Sequence, residues 1–134
     1  MCYKLYGFII GKEIHFDIKH RRIYRIPYCG TANSYISGSV TLRETMHMLF
    51  VYLLLRHNHK FVSKEELMVN IWEGNNLIPS TQRLWQVINN LNKKLELLGL
   101  PANFIHNVKG RGYSIRYDEI TPLYYRVSEA PHSL

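Results

Sequence analysis

The chain changes its hydrophobic period near residue 40. Before that point apolar and polar residues alternate at period two, which is the mark of half-buried strands. In "IHFDIK", residues 14–19, Ile14, Phe16 and Ile18 share one face, and His15, Asp17 and Lys19 the other. "YKLYGFII" precedes it and "RRIYRIPY" follows, with turns expected around Gly11-Lys12 and Lys19-His20-Arg21. After a stretch of Gly, Ser, Thr and Asn, a short last strand is expected near residues 36–40. This part predicts a small antiparallel meander.

From residue 41 the period becomes helical. "TLRE" at residues 41–44 has the form of a capping box, Thr41 with Glu44. Leu42, Met46, Leu49, Phe50 and Leu53 follow at helical spacing, and Met48, Val51, Tyr52 and Leu55 fill most other sides. A helix apolar nearly all round is a central, buried one. A second box, "SKEE" at residues 63–66, opens a helix that buries Leu67, Ile71 and Trp72, and "EGNNLIPS" is a loop of turn formers. A third helix, about residues 80–98, carries the core stripe Leu84, Val87, Ile88, Leu91, Leu95 and Leu98. Its opposite face centres on Gln82, Gln86, Asn89 and Lys93, flanked by Arg83, Trp85 and Asn90.

Then comes a hairpin. "NVKGRGYSIRY", residues 107–117, alternates on either side of Gly-Arg-Gly, with Lys109 and Arg111 at its tip and Tyr113 facing back to pack. Residues 118–134 are polar, contain two prolines, and are expected to form a flexible tail or linker. The expected fold is α+β: an N-terminal sheet over residues 1–40, three helices, and a C-terminal β-hairpin wing ending at 117.

Charge sharpens this picture. The 134 residues hold 17 Lys and Arg against 10 Asp and Glu, a net charge of +7 with pI about 9.5, which favours a polyanionic partner. Between residues 80 and 117 Glu96 is the only acid, against Arg83, Lys93, Lys94, Lys109, Arg111 and Arg116. Solvated helix faces usually mix Glu with Lys for i,i+4 pairing. An amide-rich, carboxylate-poor face instead suits a major groove, where Gln and Asn pair bidentately with adenine. Three helices followed by a hairpin form a winged helix-turn-helix, whose last helix enters that groove.

Other chemistry finds little support. Cys2 and Cys29 build neither a disulfide framework nor a four-ligand zinc site, and neither forms a recognisable nucleophile motif with a histidine. His57 and His59 have no third ligand nearby in sequence, so no metal, cofactor or catalytic activity is expected. The longest apolar run, residues 48–55, is far short of the roughly 20 needed to span a bilayer. No secretory signal opens the chain, and a cytoplasmic location is expected.

The residues from "VTLRETMHML" through "NIWEG" resemble the first two helices of the OmpR/PhoB-type effector domain. "RLWQVINNLNKKL" resembles its recognition helix and "NVKGRGYSI" its wing, and the Leu84-x-Gln86-x-Ile88 start is closer to the ToxR and CadC branch. The chain departs at Asn92, where the family usually has arginine, and at Asn90, often basic; base preference does not carry over. The resemblance, covering about residues 1–117, implies a transcription regulator of double-stranded, A·T-rich promoter DNA. Gln86, Asn89 and Asn90 would face bases, Arg83 and Lys93 would hold phosphates, and Arg111 would reach the neighbouring minor groove. Gln82, Trp85 and Lys109 complete the expected surface. Residues 73–79 would correspond to a loop contacting RNA polymerase, and a homodimer on DNA is expected to be possible. In ToxR-like proteins a membrane anchor follows this domain, so the chain is either the cytoplasmic piece of a longer regulator or free-standing. The rival reading is a winged-helix module for protein contacts that does not bind DNA.

Overall fold

Alternation in the first 40 residues builds most of a five-stranded antiparallel sheet. The computed structural model describes residues 2–27 and 36–128. The strands are β1 (Cys2–Ile10), β2 (Ile14–Asp17), β3 (Arg22–Arg25) and β4 (Gly38–Thr41), paired in sequence order. Cys29 and the final residues 129–134 lie outside the described residues.

The fifth strand corrects the expected tail. Ile120–Val127 forms β7 and pairs antiparallel with β1 over its whole length, giving the order β4-β3-β2-β1-β7. Ile120 is buried, and Pro122 opposes Phe8. A proline is tolerated there because β7 is an edge strand, where a missing N–H breaks no ladder bond. Folded structure therefore runs ten residues beyond 117.

The first helix, α1 (Glu44–Leu55), buries Met46, Leu49, Phe50, Leu53 and Leu54 against the sheet; Phe50 meets Phe16 at 5.1 Å between ring centroids. The expected Thr41 cap does not form. Thr41 is the last residue of β4, paired with Arg22, and the helix starts after Arg43 without a side-chain cap. Sheet pairing has claimed the backbone that the box needed.

Ser63 does cap α2 (Lys64–Leu67), its Oγ accepting from the Glu66 N–H at 3.1 Å. The Glu66 carboxylate, however, faces α1 rather than reaching back. It accepts from the Tyr52 hydroxyl at 2.5 Å and lies 3.3 Å from the Arg56 Nε. Burial, then the bond to Glu66, pushes the Tyr52 hydroxyl up to about 12. The helix continues through a wide π turn, Met68–Trp72, and a tight 3-10 turn, Glu73–Asn75, and ends at left-handed Asn76. Leu67, Ile71 and Trp72 are buried, as their spacing requires.

The third helix, α3 (Thr81–Leu97), is capped by the Ser80 hydroxyl, which accepts from the Arg83 N–H at 3.2 Å. Its 17 residues make a rod of roughly 25 Å. Leu84, Ile88, Leu91, Leu95 and the following Leu98 are buried, while Val87 sits at the edge of the core. A two-stranded hairpin, β5 (Ile105–Val108) and β6 (Gly112–Ile115), closes the arrangement.

Candidate nucleic-acid interface

On α3 the surface opposite the leucine stripe carries Gln82, Arg83, Gln86, Asn90 and Lys93, all exposed. Trp85 is 57% exposed and so belongs to this surface rather than to the core. Asn89 is half-buried, since the hairpin stands beside it. The face divides into two flanks. Arg83, Gln86 and Asn90 line a groove of about 830 Å³ shared with Met46, Trp72 and Ile78. Trp85 and Asn89 line a smaller crevice against the hairpin. Helix face and hairpin are thus one continuous surface.

What holds the hairpin there is a pair of buried contacts. The first is Asn92, on the side of α3 that meets β5. Its Nδ2 donates to the Ile105 carbonyl at 3.0 Å, and its Oδ1 accepts from the Ile105 N–H at 2.9 Å. One side chain satisfies both backbone groups of a buried strand residue and fixes helix to wing. Sequence reasoning marked Asn92 only as a departure from the family pattern. Its available signal was a lone amide within an otherwise apolar helical stripe.

The second contact joins the hairpin to the α1–α2 connection. Val62 and Tyr113 exchange two backbone hydrogen bonds, 2.7 and 2.9 Å. Tyr113 is buried, as expected of a residue packing the wing, and burial raises its hydroxyl pKa. Gly112 makes this approach possible. Its φ is +145°, and a Cβ there would lie 2.0 Å from the Val62 carbonyl oxygen. At Gly110, with φ of +74°, a Cβ would meet nothing within 4 Å. The two glycines therefore do different work: Gly110 turns the chain, and Gly112 also admits a neighbouring backbone.

Lys109 and Arg111 are exposed at the hairpin turn, and neither has an ion-pair partner among the described residues. The Arg111 guanidinium carbon lies 5.9 Å from the centroid of the Phe61 ring. Residues 73–80 are all exposed, and Ile78 is 88% exposed. His57 Nδ1 lies 2.9 Å from the Leu54 carbonyl. Among the described residues no group of three or more metal-ligating side chains gathers, and no helix is long and apolar enough to cross a membrane.

Comparison with known proteins agrees with this geometry. Residues 38–115 match the family model described as transcriptional regulatory protein, C terminal. The sensory transduction protein BceR of Bacillus subtilis (strain 168) is 29% identical over 132 residues, covering 82% of this chain and 56% of that protein. The chain thus spans about half the length of this relative. Three solved structures share the fold. The DNA-binding domain of E. coli CadC gives a TM-score of 0.67 at 21% identity, covering 92% of this chain and all of that one. The DNA-binding domain of response regulator AdeR, solved with an intercistronic region, gives 0.55 at 21% identity, covering 82% and 100%. The C-terminal domain of the nisin resistance regulator NsrR gives 0.53 at 24%, covering 86% and 97%. The family model spans more than half of the chain and runs from β4 through the wing: the chain belongs to the OmpR/PhoB-type family of DNA-binding domains of transcriptional regulators.

Proposed function

We propose that this chain binds promoter DNA with α3 in the major groove and the hairpin tip in the adjacent minor groove. One observation carries this reading: a carboxylate-poor, amide-rich helix face is continuous with a wing whose two tip cations have no ion-pair partner among the described residues. Gln86, Asn89 and Asn90 take the bases, with Gln82 and Trp85 at the rim. Arg83 and Lys93 take phosphates. Lys109 and Arg111 enter the minor groove, which favours A·T-rich sequence because a narrow groove has the most negative potential. The exposed loop at residues 73–79, with Ile78 outermost, supports a contact with RNA polymerase. A pair of copies on adjacent half-sites, acting in the cytoplasm, completes the reading.

The test is anisotropy on random duplexes and on duplexes selected by the parent protein, across a salt series. Binding should weaken steeply with salt. Gln86→Ala and Asn90→Ala should each cost about 1–3 kcal/mol on the selected site and flatten preference at one or two positions. Lys93→Ala should weaken binding to all sequences and make the salt slope shallower. No binding even at low salt would leave the protein-contact module as the better reading. Unchanged selection by the Gln86 and Asn90 variants would remove direct readout from this face.

A further inference from the structure

The crevice between α3 and the wing has a composition unlike the rest of the basic surface. It has a volume of about 270 Å³. Its floor is closed by Ile88, Tyr113 and the committed amide of Asn92. Its rim is Trp85, Asn89, Asn103, His106 and Asn107. None of these rim side chains makes a hydrogen bond within the described residues. Neither a carboxylate nor a lysine or arginine lines the space. An indole N–H and three primary amides, all uncharged donors, therefore stand together with an imidazole, without hydrogen-bond partners among the described residues.

In duplex DNA a major groove and the adjacent minor groove are separated by one sugar-phosphate strand. With α3 in the first and the hairpin tip in the second, that strand has to cross the line where α3 meets the wing. That line is the crevice. We propose that it is a phosphodiester seat, in which the uncharged donors of Trp85, Asn103 and Asn107, with His106 beside them, hold the strand lying between the two grooves. The inference rests on the groove assignment made above. Lys93 lies one helical turn beyond Asn89, and Lys109 two residues beyond Asn107 at the hairpin turn, so long-range attraction and close positioning fall to different residues. A hydrogen bond from a neutral donor to a charged phosphate fixes register on the duplex without carrying sequence information. It also replaces no counterion, and this gives it a signature that a lysine contact lacks.

The experiment uses the duplex selected by the parent protein, with one phosphate at a time replaced by an uncharged methylphosphonate. Parent binding should fall at the phosphates between the contacted major and minor grooves. Asn107→Ala and Trp85→Phe, both at exposed positions where little packing is lost, should each weaken binding up to about tenfold on selected and random duplexes alike. Their slope of log affinity against log salt should equal the parent's, whereas Lys109→Ala should lower that slope by about one. On the sensitive methylphosphonate duplex, Asn107→Ala should cost much less than on the natural one. The seat is overturned if the variants bind like the parent, if their salt slopes fall as the lysine variant's does, or if the two penalties simply add. A parent that binds no duplex, or that protects only one groove, strikes instead at the groove assignment itself.

Discussion

In the five-stranded sheet, two carboxylates beside the strand ends are answered within the protein. Glu13 receives Arg25 at 2.8 Å across the β2–β3 pair, and Asp17 Oδ2 lies 2.7 Å from the His20 ring at the next turn. The two-stranded wing is built from the same alternation, but its turn cations, Lys109 and Arg111, have no carboxylate partner among the described residues. The sheet also has five strands and packs on α1, while the wing is a hairpin of four-residue strands tied down by Asn92 and Val62. An isolated two-stranded hairpin is at best marginal in water. The wing's order is therefore supplied from outside it. The sheet's turns hold two carboxylates with partners in the protein; the wing's turn holds two cations and no carboxylate.

The largest break in this contrast comes from Gly112. Alanine there meets both a φ of +145° and the Val62 carbonyl at 2.0 Å. No rotation of a methyl group avoids backbone, so either β6 or the α1–α2 connection has to move. Gly112→Ala should cost on the order of 3 kcal/mol or more and loosen the wing. Gly110→Ala, with open space around it, should cost only the strain of its positive φ. Thermal melts of the two variants compare them directly. Equal losses would mean that the close approach at Gly112 relaxes freely.

Asn92→Ala comes next. It leaves both backbone groups of buried Ile105 without a partner, at about 1–3 kcal/mol for each unsatisfied group. Hydrogen exchange should show β5 and β6 opening far more readily while the sheet keeps its protection. Uniform loss of protection would show that the wing and the sheet unfold as one unit and are not separately supported.

These two residues also mark where the sequence stops being legible. The strand alternation, the α3 stripe and the Gly-Arg-Gly turn are local patterns, and each appears where its period puts it. β7 looks like a tail in sequence because its pairing partner, β1, is more than a hundred residues away and Pro122 resembles a breaker. Thr41 was read as a cap because the competing strand pairing with Arg22 is not local either. The same holds at the candidate interface. The period of α3 identifies an exposed face from Gln82 to Lys93. It does not show that Asn103, His106 and Asn107 share a crevice with Trp85, because that depends on how the hairpin docks. Asn92 shows how little the residue type reveals: an asparagine among leucines becomes a strut only once Ile105 is beside it.

Arg111→Ala separates function from stability in the wing. Its side chain projects from an exposed turn, with its guanidinium carbon 5.9 Å from the centroid of the Phe61 ring. The melting behaviour should stay within about 0.5 kcal/mol of the parent. Binding to A·T-rich duplexes should weaken, and more than binding to G·C-rich ones, because the guanidinium answers the potential of the narrow minor groove. A variant that melts much earlier would make Arg111 part of the wing's support, and the contrast between sheet and wing charges would fail at its central residue.

The smallest effect lies on the sheet side. His47 projects from α1 onto the sheet, where its ring meets Phe16 edge-on at 5.4 Å between centroids. Its Nδ1 is buried without a hydrogen-bond partner among the described residues. Burial, aided by the charge of Arg21, holds its pKa below the usual histidine value, and burial does the same for His15, which stacks on Tyr24. A histidine whose folded pKa lies below its unfolded one is protonated more readily in the unfolded chain. Its contribution is therefore intact above about pH 6.5 and is lost as the pH falls toward the folded value. Denaturant titrations at pH 8 and pH 5.5 should show the parent losing stability on acidification. His47→Gln, which cannot take up that proton, should lose less over the same interval, with His15 keeping part of the dependence in place. The wing offers the control: Lys109→Ala, which removes an exposed side chain far from His47 and His15 in sequence, should leave the acid dependence as it is in the parent. If His47→Gln shows the parent's full acid loss, the proton is taken up elsewhere, and His15 becomes the group to replace.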